Sequence, residues 1–182
     1  MLNVIKIVGT VLAIMLLASG CLVDLHNTER TNAGLDELVF NTNLSQEARK
    51  VAGKLASKCA GVPIGIADLG KHHLSEGQIK AVANRALGPN SWTLIGENIA
   101  VLPYINADDP ETIFQLVHDS YMASPAHRKN IMDTRYTLAS EGWSTQNCNP
   151  NTGSKCSLPG NVSRTTVCEP FIWNAVLFVA QA

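Results

Sequence analysis

The most informative stretch of the chain reads SPAHRKNIM and covers residues 124–132. Ser124 followed by Pro125 is a start signal for a helix, because a serine oxygen can accept hydrogen bonds from the first free N–H groups and proline fits the first turn. The signal precedes His127 and Ile131, so we place this histidine just after a helix start. We therefore interpret Ser124 as a helix cap rather than as a nucleophile.

Outward from this stretch, capping signals and hydrophobic periodicity predict four further helices. The dipeptide at 109–110 repeats the start signal with Asp and Pro. Ser75 and Asn43 each have Gln three residues later, which is the spacing of a capping box, and apolar residues follow both at helical intervals. The first helix is predicted over residues 22–33, ending at Gly34.

The last third of the chain changes to aromatic and β-branched residues, which favour strands. We predict strands over residues 136–143 and 171–179, and a short one over residues 99–102. No repeat, heptad pattern or interior linker is present in the sequence. The chain is therefore predicted to form one α+β domain over residues 21–182, after a leader at residues 1–20.

Composition excludes two broad classes of protein. The chain has 182 residues, of which 46% are hydrophobic and 16% charged, so it can bury its own core and is not expected to be disordered. Lys and Arg number 14 against 15 Asp and Glu, which gives a net charge of −1. Without a cationic excess to neutralise phosphates, we expect no nucleic-acid partner.

The N-terminus is predicted to be an export signal. Lys6 precedes an apolar run at residues 7–17, which is shorter than the ~20 residues that a membrane-spanning helix needs. The sequence ASGC at 18–21 resembles a bacterial lipobox, although Leu17 stands one place before the usual position. This resemblance implies acylation at Cys21 and a lipid-anchored protein of the bacterial cell envelope, facing the periplasm or the exterior. An ordinary signal peptide is the alternative.

Four other cysteines are candidates for disulfides. In an exported domain they suggest two bridges, with three possible connectivities. We favour a bridge across the turn-rich segment NPNTGSK, which would leave the other two to pair, while the remaining connectivities stay open. The sequence has no CxxC spacing, which argues against a redox pair or a zinc knuckle. The four are Cys59, Cys148, Cys156 and Cys168.

Four segments in order resemble the CAP superfamily (cysteine-rich secretory proteins, antigen 5 and pathogenesis-related 1), specifically its bacterial SCP-domain lipoproteins. Each segment alone is a weak signal, but together they cover most of residues 22–180. The resemblance implies an α-β-α sandwich around a central antiparallel sheet, with a cleft lined by His and Glu side chains. The segments are LHNTERTNAGLDELVFNTNLSQEARKVA at 25–52, IGENIA at 95–100, SPAHRKNIM at 124–132 and the closing strand at 173–178.

The same resemblance identifies the residues of the cleft. Glu97 is the glutamate of the GEN signature, and His127 is the histidine of SPxHR. The first cleft histidine is His72 or His73, and the spacing to Gly77 slightly favours His72.

One cleft carboxylate of the family is missing from this chain, because the position of the second glutamate falls on Ser124. Asp119, one turn earlier, could approach the cleft instead. His118 is predicted to lie on the exposed side of its helix, and His26 to pack or cap locally. Glu141 stands where the family strand commonly has an apolar or small residue, which would place a carboxylate inside the sheet.

Three functions compete for this cleft. Two imidazoles and a carboxylate form the donor set of a Zn²⁺ site with an open position, or alternatively a structural hydrogen-bonded group. The cluster Ser120, His118 and Asp119 suggests a protease-like hydrolase, but no G-x-S-x-G elbow supports one. Apolar residues between 95 and 105 could line a groove for a lipid or sterol. We favour a membrane-tethered binding module that contacts an envelope lipid or protein partner, with a hydrolase as the runner-up.

Overall fold

The structure, a computed structural model, describes residues 21–58, 73–103, 110–146 and 171–182. These ranges contain five helices and four strands. In chain order they are α1 (Cys21–Asn32), β1 (Val39–Phe40), α2 (Thr42–Lys58), α3 (Glu76–Leu87), β2 (Trp92–Pro103), α4 (Pro110–Ala123), α5 (Pro125–Ile131), β3 (Leu138–Gln146) and β4 (Phe171–Gln181).

Strand β4 is the centre of the sheet. Its sequence, FIWNAVLFVAQ, is apolar almost throughout, and every side chain from Ile172 to Ala180 is buried. Such a continuous apolar run is typical of a strand that is covered on both faces. The strand order is β1-β3-β4-β2, and β4 runs antiparallel to both of its neighbours. The predicted antiparallel sheet is thus confirmed for three strands, while the two-residue β1 joins β3 in parallel.

Helices cover both faces of the sheet, as the predicted α-β-α sandwich requires. Side chains alternate along β4, so Val176 and Phe178 pack in one core with α1, α4 and α5. Leu177 and Val179 pack in the other core with α2 and α3. Helix α2 lies so close to β3 that a Cβ at Gly142 would collide with the α2 backbone, which explains the glycine at this position.

The helix boundaries confirm part of the capping prediction and correct the rest. Ser75 caps α3 in a complete capping box with Gln78. Helix α2 begins at Thr42, and Asn41 accepts a hydrogen bond from the Leu44 N–H at 3.0 Å, so the prediction that Asn43 is the cap is wrong. Ser124 precedes α5 in an extended conformation, but its side chain makes no capping hydrogen bond in the described structure.

Several predictions fall outside the described residues. These comprise the leader at 1–20, His72, and the four disulfide candidates Cys59, Cys148, Cys156 and Cys168. Among the helices that the structure describes, none combines the length and the apolar character needed to cross a membrane.

Candidate functional site

The candidate site lies along β2, at the edge of the sheet, where α5 and the segment before α3 meet it. Glu97 projects from β2, His127 from α5, and His73 stands just before α3. The His73 Nδ1 atom lies 3.0 Å from Glu97 Oε2, and the Leu74 N–H donates to the same oxygen at 3.0 Å. The side chain of Glu97 is 3% exposed and that of His73 is 38% exposed. A buried carboxylate and a histidine that reaches solvent therefore form one hydrogen-bonded unit, the cleft pair.

Within the described ranges, hydrogen-bond partners reach only one oxygen of the Glu97 carboxylate. Its Oε1 atom is buried and has no hydrogen-bond partner among the described residues. Burying such an oxygen without a donor costs free energy, and native structures keep few of them. An unsatisfied buried carboxylate oxygen therefore points to a ligand that donates a proton or carries positive charge.

His127 faces His73 across the cleft. Their ring centroids are 6.4 Å apart, and the Tyr121 ring meets His127 edge-on at 5.1 Å. Burial, together with the neighbouring His73, lowers the pKa of His127. The hydrogen bond to Glu97 raises the pKa of His73. The pKa values of the two cleft histidines are thus shifted in opposite directions, and His127 gives up its proton more readily than His73.

A small amide network holds the cleft residues in place. Asn98 donates from Nδ2 to the carbonyl of His127 at 3.1 Å. Asn130 donates from Nδ2 to Asn98 Oδ1 at 2.8 Å and to the carbonyl of Glu97 at 3.2 Å. The two asparagines join the IGENIA and SPAHRKNIM stretches to each other. Sequence reasoning quoted both asparagines within these stretches but gave them no role, and their position inside the two motifs was the available signal.

The structure corrects two predictions about α4. Asp119 is exposed and accepts a hydrogen bond from Gln115 at 2.8 Å, so it does not replace the missing cleft glutamate. His118, predicted to be exposed, is only 4% exposed and is hydrogen-bonded to His26 instead. Helical periodicity assigned His118 to the wrong face. The arrangement of Ser120, His118 and Asp119 that would support a serine hydrolase is therefore not assembled.

The residues present fit a metal ion in their chemistry. When His73 donates from Nδ1 to Glu97, its Nε2 keeps a free lone pair, which is the usual way in which a carboxylate orients a histidine ligand. Neutral His127 and the unsatisfied Glu97 Oε1 offer further donors. No group of three side chains already stands in metal-binding positions within the described ranges, so an ion would have to draw the two histidines together.

The fold and the cleft define the family. The profile of the Cysteine-rich secretory protein family, CAP, matches residues 23–158, and the chain therefore belongs to this family. The resemblance read from the GEN and SPxHR stretches is thereby confirmed. No curated protein matches the chain.

Solved bacterial structures of related architecture resemble the chain at low identity. A cysteine-rich secretory protein from Staphylococcus aureus has 18% identity and a TM-score of 0.49, covering 87% of this chain and 37% of its own. An outer surface protein from Borrelia burgdorferi has 14% identity and a TM-score of 0.46, covering 88% of this chain and 90% of its own. An extracellular SCP-domain protein from Bacillus anthracis has 16% identity and a TM-score of 0.44, covering 87% and 38%. The chain thus spans little more than a third of the staphylococcal protein.

Proposed function

We propose that this protein is an exported, membrane-tethered binding module whose cleft holds a divalent metal ion, with Zn²⁺ as the ion of choice. His73, through Nε2, and His127 would be the ligands, and Glu97 would orient His73 and offer its free oxygen. A bound zinc ion would supply an open coordination position for a donor group on a binding partner. The observation that carries the proposal is the buried Glu97 Oε1 atom, which has no hydrogen-bond partner within the described part of the chain.

The test is zinc binding by the full chain, purified in detergent. We expect roughly one zinc ion per chain by elemental analysis, and a loss of stoichiometric zinc in His127→Ala because a ligand is removed. Glu97→Gln should weaken binding by about 10-fold or more, since outer partners of histidine ligands typically contribute this much.

Glu47→Gln is the matched control for Glu97→Gln. Glu47 is also a buried carboxylate, but both of its oxygens already have partners, Lys50 on one and Arg85 on the other. Zinc affinity should therefore not change in this variant. Equal zinc content in the wild type and in His127→Ala would refute the metal site.

The proposed tether is an acyl modification of Cys21. This residue begins α1, is half-buried and packs beside the core, and Leu22 and Val23 immediately after it are fully buried. The acylated residue would therefore be joined to the folded domain without a spacer. Two or more acyl chains hold a protein on a membrane, whereas one binds only marginally.

Membrane fractionation tests the tether. Cys21→Ser should move the protein from the membrane fraction to the soluble fraction, and mass spectrometry of the wild type should show the added acyl mass. An ordinary signal peptide would be favoured by two results together. The wild type would be soluble and carry no acyl mass, and the leader would still be cleaved in Cys21→Ser.

A further inference from the structure

A pair of histidines, distinct from the cleft pair of His73 and Glu97, lies between the helices on one face of the sheet. His26 on α1 is completely buried and His118 on α4 is 4% exposed. Their Nδ1 atoms are 2.8 Å apart, although 92 residues separate them in sequence. The His26 ring also stacks on Phe178 of β4, with centroids 6.1 Å apart and planes at 23°. This buried pair joins α1 to α4 through a polar contact in the core.

The surroundings fix where its hydrogens lie. A bond between two Nδ1 atoms needs one hydrogen and one bare lone pair. His118 Nε2 is 4.0 Å from Glu29 Oε1, whereas His26 Nε2 is buried without a partner in the described structure. An N–H group without an acceptor is costly in such a place. His26 is therefore the donor, and the second hydrogen sits on His118 Nε2, towards Glu29.

An additional proton has no good position in this pair. If the bond is kept, one Nδ1 atom must remain bare, so the extra hydrogen has to occupy His26 Nε2, for which the described residues offer no acceptor. If the extra hydrogen goes to His118 Nδ1 instead, two N–H groups face each other and the bond is broken. Protonation therefore strains or opens the contact between α1 and α4.

Few charges act on the pair. The nearby charged group is Glu29 on α1 and Asp119 on α4. The neutral phenol of Tyr121, also on α4, lies next to His26. The neighbour from the sheet is the apolar Phe178. Burial is the main cause that lowers the pKa of His26 from 6.5 to about 3, and His118 is the second cause. Burial also lowers the pKa of His118, although Glu29 and Asp119 act in the opposite direction.

The buried pair is connected to the cleft through one ring. Tyr121 is completely buried, and its hydroxyl donates to Asn174 Oδ1 at 2.8 Å. Its centroid lies 6.2 Å from that of His26 and 5.1 Å from that of His127. The hydrogen bond to Asn174 fixes the hydroxyl end of Tyr121. A shift of His26 would therefore tilt the Tyr121 ring, which packs against His127.

We propose that His26 and His118 are positioning residues that hold His127 in the cleft through Tyr121, and that acid releases this support. The predicted effect on zinc binding rests on the proposed function. The coupling between the buried pair and His127 does not, because it is a property of the metal-free protein. The protein would then hold the His127 ring firmly in the cleft at neutral pH and loosely in acid.

Nuclear magnetic resonance of the metal-free full chain in detergent tests the coupling. Histidine and tyrosine ring signals are followed from pH 7.5 to 3 in the wild type, in His118→Asn and in His118→Leu. Asn keeps a carbonyl near the position of Nδ1, which can accept from His26 but does not titrate, whereas Leu removes the bond. In the wild type, the chemical shifts of the Tyr121 and His127 rings should change at the pH at which the buried pair takes up its additional proton. The midpoint of this step should shift in His118→Asn, where only one of the two imidazoles remains, and in His118→Leu both signals should be displaced at every pH.

Two results would overturn the proposal. One is that Tyr121 and His127 titrate identically in the wild type and in His118→Asn. The other is that the acid step coincides with loss of the far-ultraviolet circular dichroism signal, because unfolding alone would then explain it. In a separate arm, zinc affinity at pH 7.5 should be about 5-fold or more lower in His118→Leu than in His118→Asn, because Leu removes the bond to His26 and with it the support of His127. If no variant binds zinc, the proposed function fails, while the ring signals still decide the coupling.

Discussion

The cleft pair and the buried pair place the same residue type in opposite surroundings. His73 reaches solvent and shares its Nδ1 with a buried carboxylate, so its pKa is raised. His26 is sealed between α1, α4 and the sheet and shares its Nδ1 with a second imidazole, so its pKa is lowered to about 3. A histidine next to a buried carboxylate can exchange a proton for a metal ion. A histidine next to another histidine in the core serves packing and position.

The two pairs should differ most in how much each contributes to the free energy of unfolding of the protein. His26→Ala removes a fully buried ring and leaves His118 Nδ1 without its partner, so we expect a loss of about 3 kcal/mol in the free energy of unfolding. His73→Ala should cost about 1 kcal/mol or less, because its side chain is 38% exposed. Urea denaturation of both variants measures this difference. Similar losses would mean that the buried pair is no more important to the fold than the cleft pair.

The next largest effect is the dependence of stability on pH. His26 binds a proton near pH 6.5 in the unfolded chain but only near pH 3 in the folded one. Between these values the unfolded state takes up more protons, so stability is lost as pH falls from 6.5 towards 3. The slope contributed by one such group is at most about 1.4 kcal/mol per pH unit.

A double variant isolates this contribution. In His26→Phe/His118→Leu both titrating groups are replaced by apolar ones, which can be nearly neutral for stability at pH 7. Its free energy of unfolding should fall less steeply than that of the wild type between pH 6.5 and 4. The carboxylates, including Asp133 with a pKa of about 2, are common to both proteins and cancel in the difference. Parallel curves would show that the histidines of the buried pair do not resist protonation.

Local signals predicted the helices and much of the sheet, and long-range contacts account for the errors. Ser75 with Gln78 fixed one helix start, because capping depends on neighbours in sequence. The start of β2 was missed, since Gly96, Glu97 and Asn98 are weak strand formers that pair only because β4 lies beside them. His118 was placed on the exposed face, because only His26, far away in sequence, explains its burial. The family motifs identified Glu97 and His127 as cleft residues, but they did not indicate that Asn98 and Asn130, within the same motifs, hold these residues in place.

The smallest effect concerns the protonation of His73 itself. In Glu97→Gln the neutral amide replaces the carboxylate that raises the pKa of His73, so this pKa should fall back towards the ordinary value of 6.5. A titration of the His73 ring signals measures it, with Glu47→Gln as the control that leaves the cleft carboxylate in place.

A raised pKa contributes stability below pH 6.5 that is lost as pH rises through the folded value, which is the opposite slope to that of the buried pair. Because His73 is partly exposed, solvent screens this contribution. An unchanged pKa would show that Glu97 is not its partner in solution, and the metal proposal would then lose the group that orients His73.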